Sequence, residues 1–137
     1  MNRIPTFITA ALAAGLIAAT TGALAADQKL SGDQEVPPVA TGASGTGTIA
    51  IAADGAVSGS VTTKGIEGTM AHIHTGAAGA NGPVVVPLTK TADGVWSVPA
   101  GAKLTPEQLK AFQDGGLYVN VHSAEHKGGE IRAQLKP

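Results

Sequence analysis

Residues 45–66 read GTGTIAIAADGAVSGSVTTKGI. Two β-favouring runs meet at Ala53-Asp54-Gly55-Ala56. An Asp-Gly pair between alternating runs predicts a hairpin, because both turn residues can take positive φ. Side chains alternate across a strand, so Ile49 and Ile51 share one face of the first run and Thr48 and Ala50 the other. In the second run Val57 and Val61 oppose Ser58, Ser60 and Thr62. One apolar and one water-tolerant face per strand is the pattern of an antiparallel sheet covered on one side.

The pattern continues on both sides of this hairpin. GPVVVPL, residues 82–88, is an apolar run bounded by prolines, which predicts a strand near a sheet edge. GVWSVPA, residues 94–100, puts Trp96 and Val98 on one face. Expected strands lie near 46–53, 56–63, 69–75, 83–88, 94–98, 116–122 and 129–135. A single helix is predicted at 106–113 within LTPEQLKAFQDGG. Thr105 is its N-cap, Pro106 its first residue, Gln108 completes a capping box, and Gly115 or Gly116 ends it. Leu109 and Phe112, on one helix face, would hold it against the sheets. The fold class is therefore all-β: a sandwich of seven or eight antiparallel strands with Greek-key connections and one short helix.

The chain opens MNRIPTFITAALAAGLIAATTGALAADQ. Arg3 heads an uncharged, apolar stretch, and Ala23-Leu24-Ala25 supplies a small-x-small cleavage pattern, so residues 1–25 read as a secretory signal peptide. A membrane anchor over Ile4 to Ala26 is the alternative, but Gly15, Thr20, Thr21 and Gly22 dilute its second half. The expectation is an exported chain, periplasmic or extracellular, with one domain over 26–137 and no stable membrane anchor after processing. Nine basic and ten acidic side chains are scattered along the sequence, a net charge of −1, and no basic cluster is set up to follow a phosphate backbone. Nucleic acid is accordingly an unexpected partner. With no cysteine, thiol catalysis, thiolate zinc sites, iron–sulfur clusters and blue-copper sites are excluded, and the domain must rely on its core.

Only four histidines are present, and His72 and His74 are two residues apart in TMAHIHT. On a strand they point together, roughly 6.6 Å apart along the chain. Two such imidazoles can converge on one metal ion at about 2 Å from each nitrogen. In LYVNVHS the alternation groups Tyr118, Asn120 and His122, and in GEIRAQL it groups Glu130 and Arg132. If these three segments are neighbours, His72, His74, Asn120, His122, Glu130 and Arg132 form one polar patch. Three imidazoles without thiolates suit copper(II), zinc or nickel, copper with the highest affinity. Asn120 or Glu130 would then orient a ligand imidazole by accepting its free N–H. His126, in the loop SAEHKGGE, is a solvated residue or a weak fourth ligand. Glu35 and Val36-Pro37-Pro38 read first as a stiff edge protector, with Glu35 a minor candidate for the patch.

Other readings of the same residues stay open. The patch can be a structural hydrogen-bond network on a module that binds an extracellular protein partner. A His-x-His on a strand also occurs in copper–zinc superoxide dismutases, which keeps a copper-only, dismutase-like enzyme as a further alternative, with Arg132 guiding an anion. Four histidines are too few for the usual two-metal site. No nucleophile elbow and no paired carboxylates mark a hydrolase, and an enzyme is the less expected outcome.

LSGDQEVPPVATGASGTG (30–47), MAHIHTGAAGANGPVVVPL (70–88) and LYVNVHSAEHKGGEIRAQL (117–135) resemble, in type and order, the landmarks of the CHRD domain family. That domain was recognised in chordin, an extracellular antagonist of bone morphogenetic proteins, and in exported microbial proteins. The resemblance covers Lys29 to Leu135 and implies an immunoglobulin-like sandwich or barrel, and export, without implying a common activity. Ala133 stands where the family usually has glycine after the arginine, which implies different local packing there.

Overall fold

The computed structural model describes residues 27–137; the signal peptide expected over 1–25 lies outside them. The described chain runs β1 (Gln28–Leu30), a 3-10 turn (Gly32–Gln34), β2 (Ser44–Gly47), β3 (Ala50–Ile51), β4 (Val57–Ser58), β5 (Ser60–Lys64), β6 (Gly68–Thr75) and β7 (Val84–Pro87). It continues with β8 (Thr89–Ala92), β9 (Val95–Ser97), helix α1 (Pro106–Gln113), β10 (Leu117–Ser123) and β11 (Ile131–Leu135). One sheet has the order β1-β2-β5-β9-β8 and a second the order β11-β10-β6-β7, while β3 and β4 form a short ribbon.

The predicted hairpin forms, but it is bent. Its pairing stays in step from Gly47 opposite Val61 to Ala50 opposite Ser58. The ladder is interrupted at Gly59, whose φ is +110°. A Cβ there would stand 2.2 Å from the Thr48 carbonyl oxygen, so the close crossing requires glycine. Ile49, opposite this kink, bonds instead to the Gln28 side-chain amide, which accepts from its N–H at 2.9 Å and donates to its C=O at 3.0 Å. The expected continuous strands 46–53 and 56–63 are thus each divided in two. At the turn, only Gly55 takes positive φ, and Asp54 instead accepts the Ala56 N–H through Oδ1 at 3.0 Å.

The two large sheets face each other across one core. Leu30, Val61 and Trp96 enter from the first; Ile73, Val86, Val119, Val121, Ile131 and Leu135 enter from the second. Ala133, 3% exposed and opposite Val119, fills with a methyl the place where glycine was expected. The helix has the predicted bounds and both hydrogen bonds of the capping box between Thr105 and Gln108. Leu109 and Phe112 pack against the core. β7 is an edge strand, as its prolines implied. The all-β sandwich expectation holds, with eleven strands among the described residues where seven or eight were expected. Besides the kinked hairpin, the difference comes from β1, only three residues long, and from β8, whose residues are all exposed and carry no alternating pattern.

Candidate metal centre

The central pair of the second sheet is β6 with β10. Its register sets Asn120 against His72, Tyr118 against His74 and His122 against Met70. Because Ala71, Ile73, Val119 and Val121 fill the core, alternation sends His72, His74 and His122 to the opposite face. Their ring centroids are 5.4 Å (His72–His74), 4.8 Å (His72–His122) and 5.9 Å (His74–His122) apart. One nitrogen from each lies within 4.8 Å of the others. Ligand atoms about 2 Å from a shared ion span roughly 4 Å at most, so small side-chain rotations would bring all three onto it.

Hydrogen bonds select which nitrogens keep a lone pair. His74 Nδ1 is 3.0 Å from the Gly82 carbonyl and His122 Nδ1 is 2.8 Å from the Lys127 carbonyl. A carbonyl only accepts, so each Nδ1 carries the proton and each neutral ring keeps its lone pair on Nε2. His74 Nε2 is buried and has no hydrogen-bond partner. His122 Nε2 is 3.0 Å from His72 Nδ1, which donates to it. If the His72 proton moves to its other nitrogen, His72 Nδ1, His74 Nε2 and His122 Nε2 each carry a lone pair. Burial holds the His72 pKa below the usual histidine value, with His122 and then His74 repelling its charge. Burial likewise lowers that of His74; the Gly82 hydrogen bond opposes the shift and His122 adds to it.

The His74 ring is fixed on its remaining side. It stacks on Tyr118 with a centroid distance of 4.8 Å and an interplanar angle of 4°. Arg132, from the other neighbour of β10, sets its guanidinium carbon 3.5 Å from the same Tyr118 centroid. The loop closes over them through Gly82, whose N–H donates to the Tyr118 hydroxyl at 3.3 Å. A Cβ at Gly82 would come 1.7 Å from the Thr75 carbonyl oxygen, so this clamp requires glycine.

Residues 27–135 match the family model of the CHRD domain. The chain belongs to the CHRD family. No curated protein and no solved structure matches it. The family resemblance seen in the sequence therefore stands over nearly the whole described chain.

Within this CHRD domain, Glu130, His126 and Arg132 lie outside the group of three imidazoles. Glu130 is turned away from the imidazoles: its carboxylate accepts from Ser123 Oγ at 2.7 Å and Thr41 Oγ1 at 2.8 Å. His126 groups with Glu125 and Glu130 rather than with the other histidines. Arg132 is 1% exposed and donates to the Ala77 carbonyl, Asn81 Oδ1 and Gln134 Oε1, which ties its guanidinium into the packing over Tyr118. Asn120 does join the cluster. Its amide influences both His74 and Glu35, and its Oδ1 is buried without a partner.

Glu35 is the residue the sequence reading undervalued. It is 4% exposed, its Oε1 is another buried atom without a partner, and burial pushes its pKa up to about 7. The nearby Asn120 amide and Arg132 guanidinium pull that value down only in part. Gly129 makes room for this contact: a Cβ there would lie 2.4 Å from Asn120 Nδ2 and 2.5 Å from Glu35 Oε1. The only local signal was a carboxylate ahead of two prolines, which reads equally well as an exposed loop.

Proposed function

We propose that this CHRD domain is an exported binding protein that takes up one transition-metal ion, copper or zinc, at His72, His74 and His122. The observation that carries the reading is the grouping of three imidazoles, His72, His74 and His122, in which the buried His74 Nε2 makes no hydrogen bond. Leaving a buried polar atom without a partner costs about 1–3 kcal/mol, and a coordinated cation would remove that cost. The carbonyls of Gly82 and Lys127 act as the outer partners that fix ligand tautomers in metal sites. The segment at 1–25 supports export, to a periplasm or the cell exterior, where the domain would also be available to a protein partner.

A second reading is favoured by the 3.0 Å contact between His72 and His122, which satisfies two imidazoles without an ion. On that reading the cluster is a structural network in a protein-binding module. Calorimetric titration with Cu(II) and Zn(II) at neutral pH separates the two. The metal reading expects one equivalent bound, uptake abolished in His72→Ala and His122→Ala, and little change in His126→Ala. Binding needs neutral imidazoles; because His72 and His74 have lowered pKa values, affinity should persist to somewhat below pH 6.5 before it falls. Absence of uptake by the folded wild-type protein would leave the structural network as the function of the cluster.

A further inference from the structure

The three-histidine cluster is closed on one side and open on the other. Gly82, Asn120 and Tyr118 crowd the side of His74, which is 7% exposed, and His122 is 6% exposed. His72 is half-buried, and next to it on the same face of β6 stands Met70. Met70 is 50% exposed; among the described residues only Val84 is a comparably exposed large apolar side chain. It is the direct cross-strand partner of His122, before the register irregularity that follows at Ser123. Directly opposed residues bring their Cβ atoms to about 4.5–5.5 Å, and Met70 is two residues from His72, roughly 6.6 Å along the strand. Its flexible, unbranched side chain is not engaged in the core and can turn toward the imidazoles.

We infer that Met70 supplies its thioether sulfur as a fourth ligand on the open side of the histidine cluster and makes the site selective for copper(I). This deepens the metal-binding reading and rests on it. Soft thioether ligands favour Cu(I), whereas zinc takes imidazole, carboxylate or thiolate. Three imidazoles alone hold either metal. The addition of one sulfur biases the set toward copper in its reduced state without excluding Cu(II) at the nitrogens. The position also gives a role to an apolar side chain left in water.

The test compares wild-type protein with Met70→Leu, a change of similar volume at an exposed site that leaves the core untouched. Anaerobic Cu(I) is partitioned between protein and bicinchoninate, and Zn(II) between protein and a chromophoric chelator. Loss of a direct ligand should weaken Cu(I) binding by no less than the roughly tenfold that loss of an outer partner causes. Zn(II) affinity should stay within about twofold, and copper X-ray absorption should lose its sulfur scattering. Equal Cu(I) affinity in the two proteins, or a parallel loss of both metals, overturns the role of Met70 while leaving the histidine site standing. Failure of wild-type protein to take up Cu(I), Cu(II) and Zn(II) overturns both readings together.

Discussion

At the scale of single residues, Glu35 and the histidines pull the pH dependence of stability in opposite directions. Burial raises the Glu35 pKa from 4.5 to about 7, so the folded state holds its proton more tightly. That contribution is complete below the unfolded value, near 4.5, and is lost as pH rises through about 7. His72 and His74 are shifted below 6.5, so their contribution is complete above 6.5 and is lost as pH falls through their folded values. Glu35→Gln keeps the shape and removes the charge. In chelator-treated protein the variant should be more stable than wild type at pH 8 by on the order of 1–3 kcal/mol. The gap should shrink by pH 5, and the variant should still weaken on further acidification through its histidines. Urea midpoints measured across this range check it; a gap independent of pH would mean that Glu35 is not held protonated by the fold.

At the scale of elements, the bent hairpin decides how the sheets are shared. Gly59 at φ +110° lets β4 and β5 diverge, and the Gln28 amide takes the place of the missing ladder partner. Gly59→Ala combines an unfavourable left-handed conformation with a Cβ set 2.2 Å from the Thr48 carbonyl oxygen. It should cost at least the roughly 1–3 kcal/mol typical of a strained residue, read as a lower urea midpoint at unchanged slope. A midpoint equal to that of wild type would show that the ribbon can straighten without loss. The helix is the contrasting case. Its cap, first proline and closing glycine are all local, so its bounds could be read directly from residues 105–115.

At the scale of the whole molecule, the domain is two sheets joined through one apolar core, with the histidines on the face away from it. Without cysteine it has no disulfide, so the core alone must stabilise it. The proposed export has its own check. Intact mass of protein recovered outside the cytoplasm should correspond to a chain beginning at Ala26. A mass retaining residues 1–25 in a membrane fraction would make the segment an anchor instead.

Strand alternation, turn chemistry and capping are short-range, so the sequence by itself determined the all-β class, the hairpin at Asp54-Gly55, the helix, and which side chains share a face on each strand. It paired His72 with His74, and Asn120 with His122, because period 2 requires it. Only the tertiary structure decided that β6 and β10 are neighbours in the register that brings His122 to His72. Register across strands far apart in sequence depends on how both apolar faces fit one core, and no local pattern encodes it. The same long-range packing turned Glu130 toward Thr41, buried Arg132 over Tyr118 and carried Glu35 from a proline-rich loop to the edge of the cluster. Those placements follow from which surfaces the folded chain excludes from water, and that is settled only when the two sheets close on each other.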